Sequence, residues 1–153
     1  MEKAKYDALS VAARIVNEQI KKGNPISNLV LQKVLYYVEA AFLIIDRNLF
    51  SDEISAWQYG PVVEDVYHYF KINLDRKIIN PVPEEDIFYE ISNEDWKIID
   101  EVVDCKIKYD PFELVKMTHE ETPWISAYKN KNPYIDKNLM RNYFKNHEER
   151  IYE

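Results

Sequence analysis

The stretch NPISNLVLQKVLYYVEAAFLIID, residues 24–46, is the most apolar part of the chain, and its reading decides the fold. Val30, Leu31, Val34, Leu35, Val38, Ala41, Phe42 and Ile45 recur at helical spacing and give a stripe too wide for a surface helix. Ser27 stands just ahead of the run, where a side-chain oxygen can take the first free N–H groups. The spacing predicts a helix buried on much of its circumference, with the other elements packed around it.

Working outward, DALSVAARIVNEQIKKG (residues 7–23) reads as a helix capped by Asp7 and stopped by Gly23, with Leu9, Ala12, Ala13, Val16 and Ile20 on one face. SNEDWKIIDEVVDCKIK (92–108) has Ser92 as cap, Asp95 three residues on, and an inner stripe of Trp96, Ile99, Val102 and Val103. DPFELVKMTHEE (110–121) starts on the Asp110 cap and Pro111. TPWISAYKN (122–130) repeats that device with Thr122 and Pro123. DKNLMRNYFKNHEE (136–149) closes the chain as a last helix with Leu139, Met140, Tyr143 and Phe144 inward.

AWQYGPVVEDVYHYF (56–70) holds one of only two glycines, beside a proline and among large rings. ISAWQY suits a brief extended segment. Gly60 permits a sharp change of direction, and Pro61 suits the first turn of a helix carried by Val62, Val63, Val66, Tyr67 and Phe70. Further on, RKIINPVPEEDIFYEI (76–91) is irregular, with short strands expected at 77–79 and 87–91 as a small antiparallel hairpin. The expected class is therefore mainly α (α+β): one domain over residues 1–153, a compact bundle of about six helices with a small β-hairpin or short strands between the third and fourth.

The chain lacks GxxxxGK[ST], GxGxxG and GxSxG, and with only Gly23 and Gly60 it cannot build a glycine-rich phosphate loop. His119 begins half of an HExxH pattern, but Pro123 occupies the position of the second histidine. His68 and His147 are isolated, so no metal ligand set and no cofactor is expected. Cys105 is the single cysteine, reads as a small apolar filler, and fits a reducing cytoplasm. The pairs Glu64/Asp65 and Glu120/Glu121 stand at helix starts, where the macrodipole favours negative charge, so acid–base catalysis is not needed to explain them.

The net charge is −7 and uneven: residues 84–121 carry 13 acidic and 4 basic side chains. Nucleic-acid binding calls for a basic footprint, and none is present. The acidic tract reads as a solvated helix face or as a match for a basic protein partner. No run of 18 apolar residues spans a membrane, and the N-terminal residues show no secretory h-region. Twelve tyrosines exceed what a core of this size uses, so some rings are expected at the surface.

Three motifs occur in order: LQKVLYYVEAAFL (31–43), AWQYGPVVEDVYHYF (56–70) and THEETPW (118–124). Together with Ile135, Leu139, Tyr143 and Phe144 they resemble the Panacea, or SocA-like antitoxin, domain over about residues 8–145, with Val34 where that family usually has Leu. Its motif positions here are Leu31, Gln32, Tyr36, Tyr37, Gly60, Pro61, Val62, Tyr67 and Pro123. The resemblance implies an antitoxin, often borne on prophages and other mobile elements, that binds and neutralises a cognate toxin protein by direct contact. The alternative it implies is an adaptor that presents the toxin to a cytoplasmic protease. It implies no enzyme. Trp57, Tyr59, His119, Glu120 and Trp124 are the expected partner-binding residues, brought together by the two tight turns; the competing expectation is that AWQYGPV and THEETPW pack on each other to close the fold.

Overall fold

The computed structural model describes residues 3–153. Its elements are α1 (Ala8–Lys21), α2 (Asn28–Leu43), β1 (Ser55–Trp57), β2 (Gly60–Val62), α3 (Glu64–Phe70), α4 (Asn93–Lys106), α5 (Pro111–His119), α6 (Thr122–Lys129), α7 (Lys137–Lys145) and α8 (Glu149–Tyr152). The class is mainly α with one small antiparallel sheet, as expected. Among the described residues, no helix is long and apolar enough to cross a membrane.

Helix α2 is the axis of the molecule. Every residue in it except Leu29 is buried, and it packs against α1, α3, α4, α5, α7, α8 and β2. Ser27 Oγ accepts from Val30 N–H at 3.3 Å and starts it. It ends where Asp46 turns left-handed (φ 61°), so that the Asp46 and Arg47 amides reach back to the Leu43 and Phe42 carbonyls at 3.0 and 2.9 Å. The same device ends α1 at Gly23, as the sequence predicts. Asp7, Ser92 and Asp110 also cap their helices as expected.

The sheet lies one connection earlier than expected, between α2 and α3. β1 and β2 pair as a two-residue hairpin, Ala56 opposite Pro61 and Trp57 opposite Gly60. Pro61 therefore does not open a helix. The Ala56 amide points away from β2, to the Pro133 carbonyl at 3.0 Å, so this pair exchanges no hydrogen bond and the missing proline N–H goes unneeded. Helix α3 starts three residues later than Pro61, with Glu64 and Asp65 in its first turn.

Residues 77–79 and 87–91 form no hairpin. Ile78 N–H donates to the Ile26 carbonyl at 2.9 Å, so the first segment lies against the start of α2. The second is strapped to α1, where the Ser10 hydroxyl accepts from Tyr89 N–H at 3.1 Å, and in the connection between the two Asn17 binds both backbone groups of Val82. Two further expectations shift. Thr122 is inside α6, and Glu121 holds the capping position with its side chain turned inward. The final helix breaks after Lys145, leaving α8 as a separate turn; Met140 and Phe144 are buried, Leu139 and Tyr143 half-buried.

Both glycines have positive φ, but their surroundings differ. At Gly23 (φ 72°) an added Cβ meets nothing within 4 Å, whereas at Gly60 (φ 110°) it would stand 2.7 Å from Lys33 Cε and 2.8 Å from Thr118 Oγ1. Gly23→Ala is expected to lose about 1 kcal/mol from left-handed strain alone. Gly60→Ala adds a clash to the strain and is expected to lose about 3 kcal/mol or more. Urea unfolding of the two variants checks the order; equal losses would show that the hairpin does not press on Lys33.

Candidate functional site

The hairpin is held to α2 by amides and one lysine. Gln32 Oε1 accepts from Val63 N–H at 2.8 Å, Gln32 Nε2 donates to Asn28 Oδ1 at 2.9 Å, and Asn28 Nδ2 donates to the Tyr67 carbonyl at 3.1 Å. These residues are one helical turn apart on α2, so a single stripe fixes both β2 and α3. Lys33 Nζ donates to the Pro61 carbonyl at 3.0 Å beneath the same hairpin.

Beside this stripe a groove of about 630 Å³ opens between the first turns of α2, the hairpin and the segment after α3. Leu29, Trp57, Val62, Tyr67 and Leu74 supply carbon walls, and Lys33, with no exposed surface, lies beneath the adjoining hairpin. Trp57 meets Tyr67 edge to face at 5.0 Å. At the rim Tyr59 is 62% exposed and Leu74 70% exposed. Leu74 has φ 55° and ψ −128°, a conformation a branched side chain rarely adopts, and it holds an apolar group in solvent.

The late motif lies against the back of the hairpin. Trp124 Nε1 donates to the Trp57 carbonyl at 2.8 Å. His119 stacks on Trp124 at 4.1 Å, and Trp124 on Tyr128 at 4.6 Å. Thus Trp57, His119 and Trp124 are brought together, with Trp124 and Pro123 buried, and Tyr59 projects into solvent from the turn. Glu120 is not with them; it is exposed and pairs with Arg150 Nη2 of α8 at 3.3 Å.

Burial sets the electrostatics. Desolvation lowers Lys33 to about 7. Desolvation also lowers His119, with the charge of Lys33 adding to the effect against an opposing hydrogen bond to the Gln58 backbone carbonyl. A second cluster ties the C-terminus to α2: Glu121 accepts from Tyr37 Oη at 2.7 Å and Arg150 Nε at 2.8 Å. Burial raises Glu121 despite both partners. The Tyr36 hydroxyl lies beside this carboxylate, yet neither it nor Glu121 Oε1 has a hydrogen bond of ordinary geometry. Lys106, lowered to about 8 mainly by desolvation, donates to the Arg150 carbonyl and stands over the Tyr37 ring at 4.4 Å. Glu39, also raised by burial, binds Leu49 N–H at 2.8 Å and Lys137 Nζ at 2.9 Å.

Sequence reasoning missed Lys33 and Glu39 because it scored α2 for apolar residues. The available signal was a charge on each side of the YY pair within the most apolar helix, where burial demands a partner. It also missed Leu74, whose backbone conformation leaves no mark in composition.

The family model described as Antitoxin SocA-like, Panacea domain matches residues 31–125, a span that contains the hairpin, the groove walls from Leu31 onward and the late motif. Antitoxin SocA of Caulobacter vibrioides (strain NA1000 / CB15N) is 39% identical over 82 residues, which make up 53% of this chain and 44% of that protein. The match therefore spans less than half of that relative's length. No solved structure matches the chain.

Lys33 and Lys106 have folded-state values of about 7 and about 8 against the ordinary 10.5, so between those limits the unfolded chain binds more protons than the folded one. Stability is expected to rise as pH increases from about 7 towards about 9.5, before the buried tyrosines oppose the trend. Lys33→Met should flatten this slope, leaving the smaller share of Lys106. Urea midpoints across the window read it; an unchanged slope in the variant would mean that Lys33 is not desolvated.

Proposed function

Because this chain belongs to the SocA-like antitoxin, Panacea domain family, we propose that it is a cytoplasmic antitoxin that binds a cognate toxin protein and neutralises it by direct contact, without catalysis. The observation that carries this reading is the apolar groove with its exposed rim, set in the middle of the matched span. An interface of ordinary size covers about 800 Å² on each partner and draws most of its energy from a few aromatic anchors. Tyr59 and the groove edge of Trp57 are those anchors in this reading. His119 and Trp124 stand behind them as the layer that keeps the hairpin in place, and Glu120 offers a carboxylate further along the surface.

The support comes from how the two motifs divide their exposure. Trp124 is buried, and its indole N–H is used within the fold. Tyr59 is exposed at the turn of the hairpin. A residue of the second kind at the mouth of an apolar groove suits a partner more than a core.

Co-expression with the product of the adjacent reading frame, read as restored growth, tests the function. Tyr59→Ala is expected to melt within about 0.5 kcal/mol of the parent and to lose rescue. Trp124→Ala is expected to lose about 3 kcal/mol or more of stability and to lose rescue through unfolding. Folded Tyr59→Ala that rescues fully would remove the hairpin from the interface. Rescue that vanishes only in a host lacking its cytoplasmic proteases would assign the chain to the adaptor role instead.

A further inference from the structure

One extended segment of the chain is held along a single edge. Residues 87–91 (Ile-Phe-Tyr-Glu-Ile) are rich in β-branched and aromatic side chains. Ile87 and Ser92 at its ends have extended backbone, and no residue between them turns, bends or has a positive φ. Ile87 and Ile91 pack on the core, whereas Phe88 is 76% exposed and Glu90 is exposed beside it. The backbone alternates in the same way. Ile87 N–H donates to the Glu84 carbonyl at 3.0 Å, and Tyr89 N–H to the Ser10 hydroxyl of α1. In an extended chain the intervening residues face the opposite edge. There, among the described residues, Phe88 and Glu90 have neither N–H nor C=O engaged. Two residues at that spacing offer one repeat of an antiparallel ladder, with two donors and two acceptors. Proline, glycine and lysine, which natural chains use to blunt such an edge, are absent from the five residues.

Charge says what could cover it. Residues 84–95 carry six acidic side chains and no basic one. Asp86 is engaged by Tyr69 and Asp95 by Arg47, which leaves Glu84, Glu85, Glu90 and Glu94 exposed and, among the described residues, without an ion pair. Arg14 and Lys21, the cations of the groove that adjoins α1, both pair with Glu18. A second copy of this edge would bring the same acids together, and like charges oppose that pairing. A basic strand meets no such penalty.

We propose that residues 87–91 receive an extended segment of a basic partner protein as an added antiparallel strand, with an aromatic or β-branched residue opposite Phe88 and a lysine or arginine opposite Glu90. Main-chain hydrogen bonds to Phe88 and Glu90 supply the attachment, and the surrounding carboxylates select the charge. The segment shares no residue with the groove beside the hairpin, and the inference does not rest on the antitoxin reading.

The test titrates the full chain with acetyl-Lys-Val-Arg-Val-Tyr-Val-Lys amide and follows the backbone amide signals of Phe88 and Glu90 by NMR. One control is the same peptide N-methylated at its Arg and Tyr nitrogens, which removes the donors that face the edge. The other is acetyl-Glu-Val-Glu-Val-Tyr-Val-Glu amide. The basic peptide is expected to shift both amides, to slow their exchange with solvent, and to bind at least about tenfold more tightly than either control. Glu90→Lys, a change at an exposed position, should narrow the preference for the basic over the acidic peptide. The comparison within the unmodified chain stands on its own if that variant does not fold. Undiminished binding of the methylated peptide, equal binding of the acidic one, shifts confined to other surfaces, or no shifts at all would each overturn the assignment. So would protection of these amides that grows with protein concentration in the absence of peptide, since it would make the occupant a second copy. Growth rescue takes no part in the titration, so either can fail while the other holds.

Discussion

A polar side chain on a helix buried around its whole circumference is costly without a partner, and α2 carries six: Asn28, Gln32, Lys33, Glu39 and the hydroxyls of Tyr36 and Tyr37. Water is not there to satisfy them. All but the Tyr36 hydroxyl, which lies beside the Glu121 carboxylate, bind a group on another segment or on α2 itself. Gln32 and Lys33 take the hairpin, Asn28 takes α3, Glu39 takes the loop at Leu49 together with α7, and Tyr37 takes the start of α6. Much of the irregular backbone in this fold is positioned by that one constraint. The short sheet is an instance: a two-stranded hairpin is marginal alone, and here the amide of Gln32 and the ammonium of Lys33 fix it from behind.

This explains which parts of the structure could be read from the amino-acid order. Helices that announce themselves by local chemistry were legible, since Asp7, Ser27, Ser92 and Asp110 cap neighbours within three residues. Elements fixed by distant side chains were not. Pro61 looked like a helix start because its local preference allows that, but the Ala56 amide that spares it a ladder bond is satisfied by Pro133, far along the chain. Residues 77–79 and 87–91 were expected to pair as strands, yet the Ile78 amide goes to the Ile26 carbonyl and the Tyr89 amide to Ser10 of α1. In the candidate site the pattern is the same. The contact of Trp57 with Trp124 followed from the motifs, whereas Lys33 was hidden because its role depends on a hairpin whose position the sequence did not reveal.

The C-terminal turn illustrates a second consequence of burial. Glu121 sits where a helix cap belongs, but it turns inward and draws Arg150 over it; Arg150 also donates to the Met117 carbonyl at 3.1 Å. Removing one member of such a cluster leaves an uncompensated charge, which costs far more than the pair contributes. The last residues, well beyond the span that the family model matches, are thereby joined to α2 through a carboxylate within it.

Lys33 runs against this economy. Replacing a buried charge by an apolar side chain of similar volume is often neutral or stabilises by about 1–4 kcal/mol. A methionine would fill the space under Gly60, and the hairpin would lose one hydrogen bond, a net contribution of about 1 kcal/mol. On stability alone the lysine is the poorer choice at that position. Glu39, Asp95 and Glu121 each hold two segments together through an opposite charge, and Lys106 ties α4 to α8 through the Arg150 carbonyl, so the fold accounts for them. Lys33 holds one carbonyl, that of Pro61, in the hairpin that borders a groove whose rim includes a strained leucine and an exposed tyrosine. Local destabilisation concentrated beside an apolar groove with an exposed rim is consistent with the partner surface proposed for the hairpin.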